Sequence, residues 1–241
     1  MLCFNPDKFD FWKIYDSIKQ YYPIGINKHA ENMFSSYPGL KTLENSIVDN
    51  IHDSNHLFER WGSFTTNIEK ETGKEIVGTC YGQAPSFSSY LLLDKASMGN
   101  LTRTKELHFF VSLIGPFYSI IGQDTNTLKL AEHKNYQSVS YLAVSPEQDF
   151  EDAFRLIAAQ IENRFKGFRF VPFGICKQTI NGLSVPYADG NMQSVFHALF
   201  NNLIDITIPR IIGNEYYKSE DWIKETYINT AEEWIAGNPP I

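Results

Sequence analysis

Cysteine is scarce in this sequence. Cys3, Cys80 and Cys176 are the only three in 241 residues, and they stand far apart. An odd, widely spaced set fits neither a disulfide framework nor a CxxC metal or redox site, and it suits a reducing cytoplasm. Long apolar runs are absent too. The amino terminus, "MLCFNPDKFDFWKIYDSIKQ", mixes charges into its aromatics from Asp7 onward, so it lacks the h-region of a secretory signal. No serine sits in a GxSxG elbow, and the sequence holds neither a Walker-type nor a GxGxxG phosphate loop. There is no internal repeat and no low-complexity segment.

Positive charge is in short supply. Lys and Arg number 21 against 28 Asp and Glu, and the resulting net charge of −7 repels phosphate backbones and anionic lipid while favouring a basic partner. Nucleic acid and membrane are therefore not expected as partners. Aromatic residues at 15% and charged residues at 20% place the chain among compact globular proteins rather than disordered ones.

The most apolar stretch is "HFFVSLIGPFYSII", His108 to Ile121. It is too short to cross a bilayer, which takes about 20 apolar residues, and it carries Gly-Pro at its centre. A hairpin accounts for it. With Gly115 and Pro116 as a two-residue type II′ turn, Ile114 faces Phe117, Val111 faces Ile120 and Phe110 faces Ile121. Leu107, Phe109, Val111 and Leu113 then form an apolar face, and His108, Phe110, Ser112 and Ile114 a mixed one, so the pair should be partly covered on both sides. "EIVGTCYG", "SSYLLLD" and "QSVSYLAV" extend this into a meander, with "DKASMGN" and "GQDTNT" as turns. "FRFVPFGI" and "LSVPY" offer further edge strands, limited by Pro172 and Pro186.

Helices are expected on either side. In "SPEQDFEDAFRLIAAQIENRFKG", Ser145 reads as N-cap, Pro146 as N1, Gln148 as N3 and Gly167 as the stop, with Phe150, Phe154, Ile157 and Ile161 on one face. A second helix is predicted from about Asn191 to Ile206, presenting Val195, Phe196, Leu199, Phe200 and Leu203 inward. Asp7 to Tyr21, Leu40 to Glu71 and a C-terminal segment capped by Ser219 also read as helical. The expected fold is one α+β domain: helical over 1–73, an antiparallel meander sheet over 74–145, then helices and edge strands over 146–241.

Candidate chemistry is thin. Asp49, His52, Asp53 and His56 have a metal-like spacing, but Leu40, Leu43, Ile47, Ile51, Phe58 and Trp61 form the opposite apolar stripe, which leaves the four facing water. No metal or other cofactor is called for. Cys80 or Cys176 with His108 or His197 would supply part of a cysteine hydrolase, although neither thiol sits where a thiolate is favoured. The cations of "NRFKGFRF", Arg164, Lys166 and Arg169, complement a helix end. A small-molecule carrier would show a deep apolar pocket with few polar groups. The remaining candidate is "IIGNEYYKSEDW" together with the acids C-terminal to it. Glu215, Tyr216, Tyr217, Asp221 and Glu225, with Glu232 and Glu233 beyond, combine tyrosine anchors with steering carboxylates and suit a basic protein partner. The functional expectation is a non-catalytic, cytoplasmic protein-binding protein, analogous in charge and size to immunity or antitoxin proteins.

Overall fold

The computed structural model describes residues 5–131, 134–188 and 193–227. Among them the chain opens with helices α1 (Trp12–Tyr21), α2 (Glu31–Ser35) and α3 (Pro38–Ile47). It continues through a π-turn at Val48–His52, α4 (Ser54–Leu57), a second π-turn at Phe58–Gly62 and α5 (Ser63–Thr72). The sheet strands come next: β1 (Ile76–Gly78), β2 (Ser86–Met98), β3 (Leu101–Ser112), β4 (Phe117–Ala131) and β5 (Lys134–Ala143). After a 3-10 turn at Gln148–Phe150 come α6 (Glu151–Arg164), β6 (Arg169–Phe170), α7 (Phe173–Cys176), α8 (Val195–Leu199), β7 (Ile211–Ile212) and a 3-10 turn at Ser219–Trp222. The strands form one mixed sheet in the order β1-β2-β3-β4-β5-β7, antiparallel from β1 to β5. β6 and β7 add in parallel to β4 and β5. This is the expected α+β meander with helices flanking it.

Both faces of the central hairpin are covered, as its two side-chain patterns require. On one face Phe150, Phe154, Ile157 and Ile161 of the α6 segment are buried, and Trp61 stacks on Phe87 while also meeting Phe109. On the other, Phe110 packs between Phe196 and Phe200 of the α8 region, and Ser86 Oγ donates to Phe200 O at 2.9 Å. Gly122 lies under Phe150, whose Cδ1 is 2.5 Å from where a Cβ would stand. Gly122→Ala is therefore expected to cost about 1–3 kcal/mol by overpacking. Partial recovery of the denaturant midpoint when Phe150→Leu is added would confirm the cause.

Several local expectations are corrected. The hairpin pairs Val111 with Tyr118 and Phe110 with Ser119, two residues away from the predicted register. The slip is even, so each side chain keeps its face. The loop is longer than two residues: Gly115 is not among the glycines at positive φ, Ile114 N donates to Ser112 Oγ at 3.2 Å and Phe117 N to Gly115 O at 2.8 Å. A two-residue turn with a positive φ at its first central position does occur at Gly99 (φ 59°) and Asn100, between Met98 and Leu101. "GQDTNT" is not a turn but the middle of β4.

Around α6 the start signals misled. Ser145 Oγ accepts from Asn214 N at 2.9 Å instead of capping the helix, and Gln148 takes a positive φ of 49°. The helix begins at Glu151. α8 has only five residues, because Asn201 Oδ1 accepts from Leu203 N and Asp205 Oδ1 from Thr207 N, closing local turns in place of a helix. Leu203 consequently points outward. Phe58 is also exposed, since the chain leaves helical geometry at Asp53 and α4 resumes in a different phase. "LSVPY" forms no strand, and α1 starts at Trp12 rather than Asp7. Ser219 caps nothing; it opens a 3-10 turn after Lys218 at φ 59°. The C-terminal segment is described only to residue 227, and Cys3, Asn191, Glu232 and Glu233 lie outside the described residues.

Candidate interaction surface

The outer half of the sheet runs beyond the helices. Residues 94–98 of β2, 101–106 of β3, 126–131 of β4 and 134–140 of β5 are exposed or partly exposed, so four strands project as a blade. β-bulges fall in both flanking strands where the blade leaves the packed region, between Leu92 and Asp94 in β2 and opposite Asp124/Thr125 in β5. Each inserts one residue and restores the facing of those beyond it, while bending the strand.

Where blade meets core, on the face that α6 covers, lies a layer of charge. Asp124 is fully buried and accepts from Arg103 Nε at 2.9 and 3.1 Å through its two oxygens. Its cross-strand neighbours are Lys105 and Tyr141, and Lys105 is ion-paired with Asp149. The arginine is held in its charged form by this carboxylate, and Lys105 holds the Asp149 carboxyl below its ordinary range. The layer satisfies a buried acid and closes the core.

Outward of it on the same face comes an apolar row. Met98 pairs with Leu101, Leu101 with Leu128, and Leu128 with Tyr136, so four strands contribute one large side chain each at one level. They are 78%, 37%, 38% and 61% exposed, and Leu130 beside them is 54% exposed. Singly exposed apolar residues are ordinary on a protein surface, whereas these four lie side by side across four strands. The opposite face of the blade is polar at the same level: Lys95, Thr102, Thr104, Thr127, Lys129 and Gln137. Between the row and α6 is a hollow of about 410 Å³ lined by Lys74, Leu93, Asp94, Lys105, Asp149, Asp152 and Ala153. Lys105 is held by Asp149 and Lys74 donates to Leu93 O at 2.9 Å. Asp94 and Asp152 have no ion pair among the described residues.

The acidic, tyrosine-bearing segment is more deeply engaged with its own chain than its letters suggest. Glu215 pairs with Lys177 at 2.6 Å, and its carbonyl accepts from Gly174 N at 2.9 Å. Tyr216 packs against Gly174, and Tyr217 meets Phe154 and Phe170 edge-on. Trp222 anchors the segment, donating from Nε1 to Phe170 O at 2.8 Å and stacking on Phe117. Lys218 joins Glu162, which also accepts from Tyr118 OH. Asp221 and Glu225 remain exposed. Burial of its flank raises the Asp221 carboxyl somewhat, while Lys218 opposes the rise.

The hydrolase candidates do not converge. Cys80 lies in the loop after β1, donating to Ser88 O at 3.4 Å and accepting from Ser88 N at 3.2 Å. Cys176 is fully buried beside Ser119 and Val171 O. Burial raises both thiols, Cys176 to about 12, the opposite of a preformed thiolate. His108 pairs with Glu106, and His197 Nδ1 lies 2.7 Å from Ser194 Oγ, the residue that caps α8. Both residues of that Ser-His pair are buried, within the first turn of α8. In the metal-like set, Asp53 caps α4, His56 Nδ1 is 3.0 Å from Asp49 O and His52 Nε2 is 3.1 Å from Gly82 O. No group of three or more His, Cys, Asp or Glu residues suited to hold a metal occurs among the described residues.

Among the described residues no helix is long and apolar enough to cross a membrane. Compared with protein-family models, with curated proteins and with solved structures, the chain matches none.

Proposed function

We propose that this chain is a non-catalytic protein-binding protein that holds a basic partner on the α6 side of its blade. The observation that carries the reading is the cross-strand row Met98, Leu101, Leu128 and Tyr136, exposed on one face of a blade whose other face is polar. A flat apolar row of this kind offers anchoring area but no concave site, which suits a macromolecular surface better than a small substrate. The acids complete it. In the hollow toward α6, Asp94, Asp149 and Asp152 outnumber Lys74 and Lys105, and with the net charge of −7 this excess favours a cationic rim on the partner. The same acids disfavour phosphate and anionic lipid. Asp221 and Glu225 add exposed carboxylates at a separate edge of the protein. Covering a basic toxin, as immunity and antitoxin proteins do, is a task that such a surface serves, and the free thiols Cys80 and Cys176 accord with a reducing cytoplasm.

The test places a photocrosslinking residue at Tyr136 and, as control, at Thr104 on the polar face, in the full chain in its native cells. A single basic protein captured from Tyr136 and not from Thr104 is expected. Leu101→Glu with Leu128→Glu should weaken that complex on the order of a hundredfold, the effect of removing central anchors, with little change in melting temperature. Asp94→Lys with Asp152→Lys should flatten its salt dependence. Equal capture from both faces, or affinity untouched by the glutamates, would remove the proposal.

A further inference from the structure

A second feature shares no residue with the blade. Between α3 and the 182–188 loop is a cavity of about 310 Å³, at the lower end of the range for small-molecule sites. Tyr22, Leu43, Ile47, Val48, Pro186 and Tyr187 give it apolar and aromatic walls. Its tyrosine hydroxyls are already paired with backbone carbonyls. Tyr22 OH donates its proton to Ala198 O at 3.0 Å, and Tyr187 OH donates to His197 O. Neighbouring Tyr81, edge-on to Tyr187, donates to Asn202 Oδ1 at 2.6 Å. These hydroxyls are therefore engaged within the protein, and Tyr22 is fully buried. Burial keeps Tyr22 and Tyr187 in their neutral form at any physiological pH.

The single charged side chain in the wall is Glu44, exposed at the mouth and without an ion pair or hydrogen bond among the described residues. Gln83 is the one neutral side-chain amide in the lining. An adjoining hollow, sharing Leu40, Glu44 and Pro186, holds Lys28 and His29, and the Lys28 ammonium donates to Ala188 O. A guest in the main cavity thus meets apolar and aromatic walls, one amide and one carboxylate. Aromatic faces and carboxylates both attract cations.

We infer that this cavity is a binding site for a small organic amine: an ammonium group at Glu44, and an apolar or aromatic body between Tyr22, Ile47 and Tyr187. The ammonium meets the Glu44 carboxylate, and the body displaces water from apolar walls.

The full-length chain is titrated by calorimetry with three probes of one shape: 2-phenylethylammonium, 2-phenylethanol and 3-phenylpropionate. The ammonium is expected to bind in the submillimolar range, the alcohol about tenfold more weakly, and the anion not measurably. Glu44→Gln should bring the ammonium down to the level of the alcohol while leaving the alcohol unchanged. Val48→Trp, at a position 53% exposed on the rim, should close the cavity to both. Glu44 and Val48 are surface positions, so melting temperatures near that of the parent chain are expected for both variants. The inference is overturned if the alcohol or the anion binds as tightly as the ammonium, if Glu44→Gln leaves the ammonium affinity unchanged, or if the ammonium shows no binding up to about 10 mM. None of these results bears on the blade, whose partner contacts are read separately by crosslinking.

Discussion

Trp61→Ala is expected to destabilise the folded chain by about 3–5 kcal/mol, the range for removing a large buried ring. The indole is 3% exposed and lies within 5.5 Å, centroid to centroid, of Phe64, Phe87 and Phe109. Its Nε1 donates to Ser89 Oγ at 2.9 Å, so the same side chain fastens the helical run to two strands by packing and by one polar contact. Trp61→Phe keeps most of the ring area and loses the donor, so its cost should be about 1–2 kcal/mol. Urea unfolding of both variants at neutral pH measures the difference. A loss below about 1 kcal/mol for Trp61→Ala, well under the range for a buried ring, would mean that the α5 layer does not sit on the sheet as described.

Alkaline pH should unfold this protein, and the buried thiol is the residue to watch. Cys176 is raised from its ordinary 9.0 to about 12 by burial, so folding favours its protonated form. A group whose folded pKa is raised contributes stability that is complete below the unfolded value and is lost as pH climbs toward the folded one. The window for Cys176 is therefore pH 9 to 12, and its share of the loss reaches about 4 kcal/mol at the upper end. Tyr81, raised to about 12, and Tyr22 and Tyr187, raised by burial, add to the same trend from pH 10 upward. Cys176→Ala removes one titrating proton, so its urea midpoint should fall less steeply than that of the parent chain between about pH 9 and 11. Parallel slopes would show that the thiol is not sealed in the core.

Much of the architecture could be read from local pattern. The alternation around Phe109 and Phe110 announced a strand pair covered on both faces, and the spacing of Phe150, Phe154, Ile157 and Ile161 announced α6. What failed depended on partners far away in the chain. Gln123, Asp124, Thr125 and Asn126 resemble turn residues, yet they lie mid-strand: Arg103 and Ser140 on neighbouring strands pair with Asp124 and Asn126, and Gln123 Nε2 donates to Thr125 Oγ1. Ser145 looks like a helix cap until Asn214, distant in sequence, claims its hydroxyl. Phe58 keeps the right spacing for the apolar stripe, but the break at Asp53 turns it outward.

The candidate surface was harder still. Met98, Leu101, Leu128 and Tyr136 carry no signal singly, and only the paired register of four strands assembles them. The acidic segment from Glu215 to Glu225 was visible at once, whereas the ties of Glu215 to Lys177 and of Tyr217 to Phe154 were not.

The way the strands join also sets an order in which the sheet can assemble. Strands β2 to β5 are linked by short loops and can zip together from adjacent hairpins soon after they leave the ribosome, with little closure entropy to overcome. β7 reaches β5 only when Ile211 arrives, about 70 residues after Leu142. During that interval of synthesis the inner edge of β5, Leu142 and Ala143, has open backbone groups and no mate. A nascent chain stalled before Ile211 should thus be sticky toward other unfinished chains, and its later arrival is what renders the product safe to release.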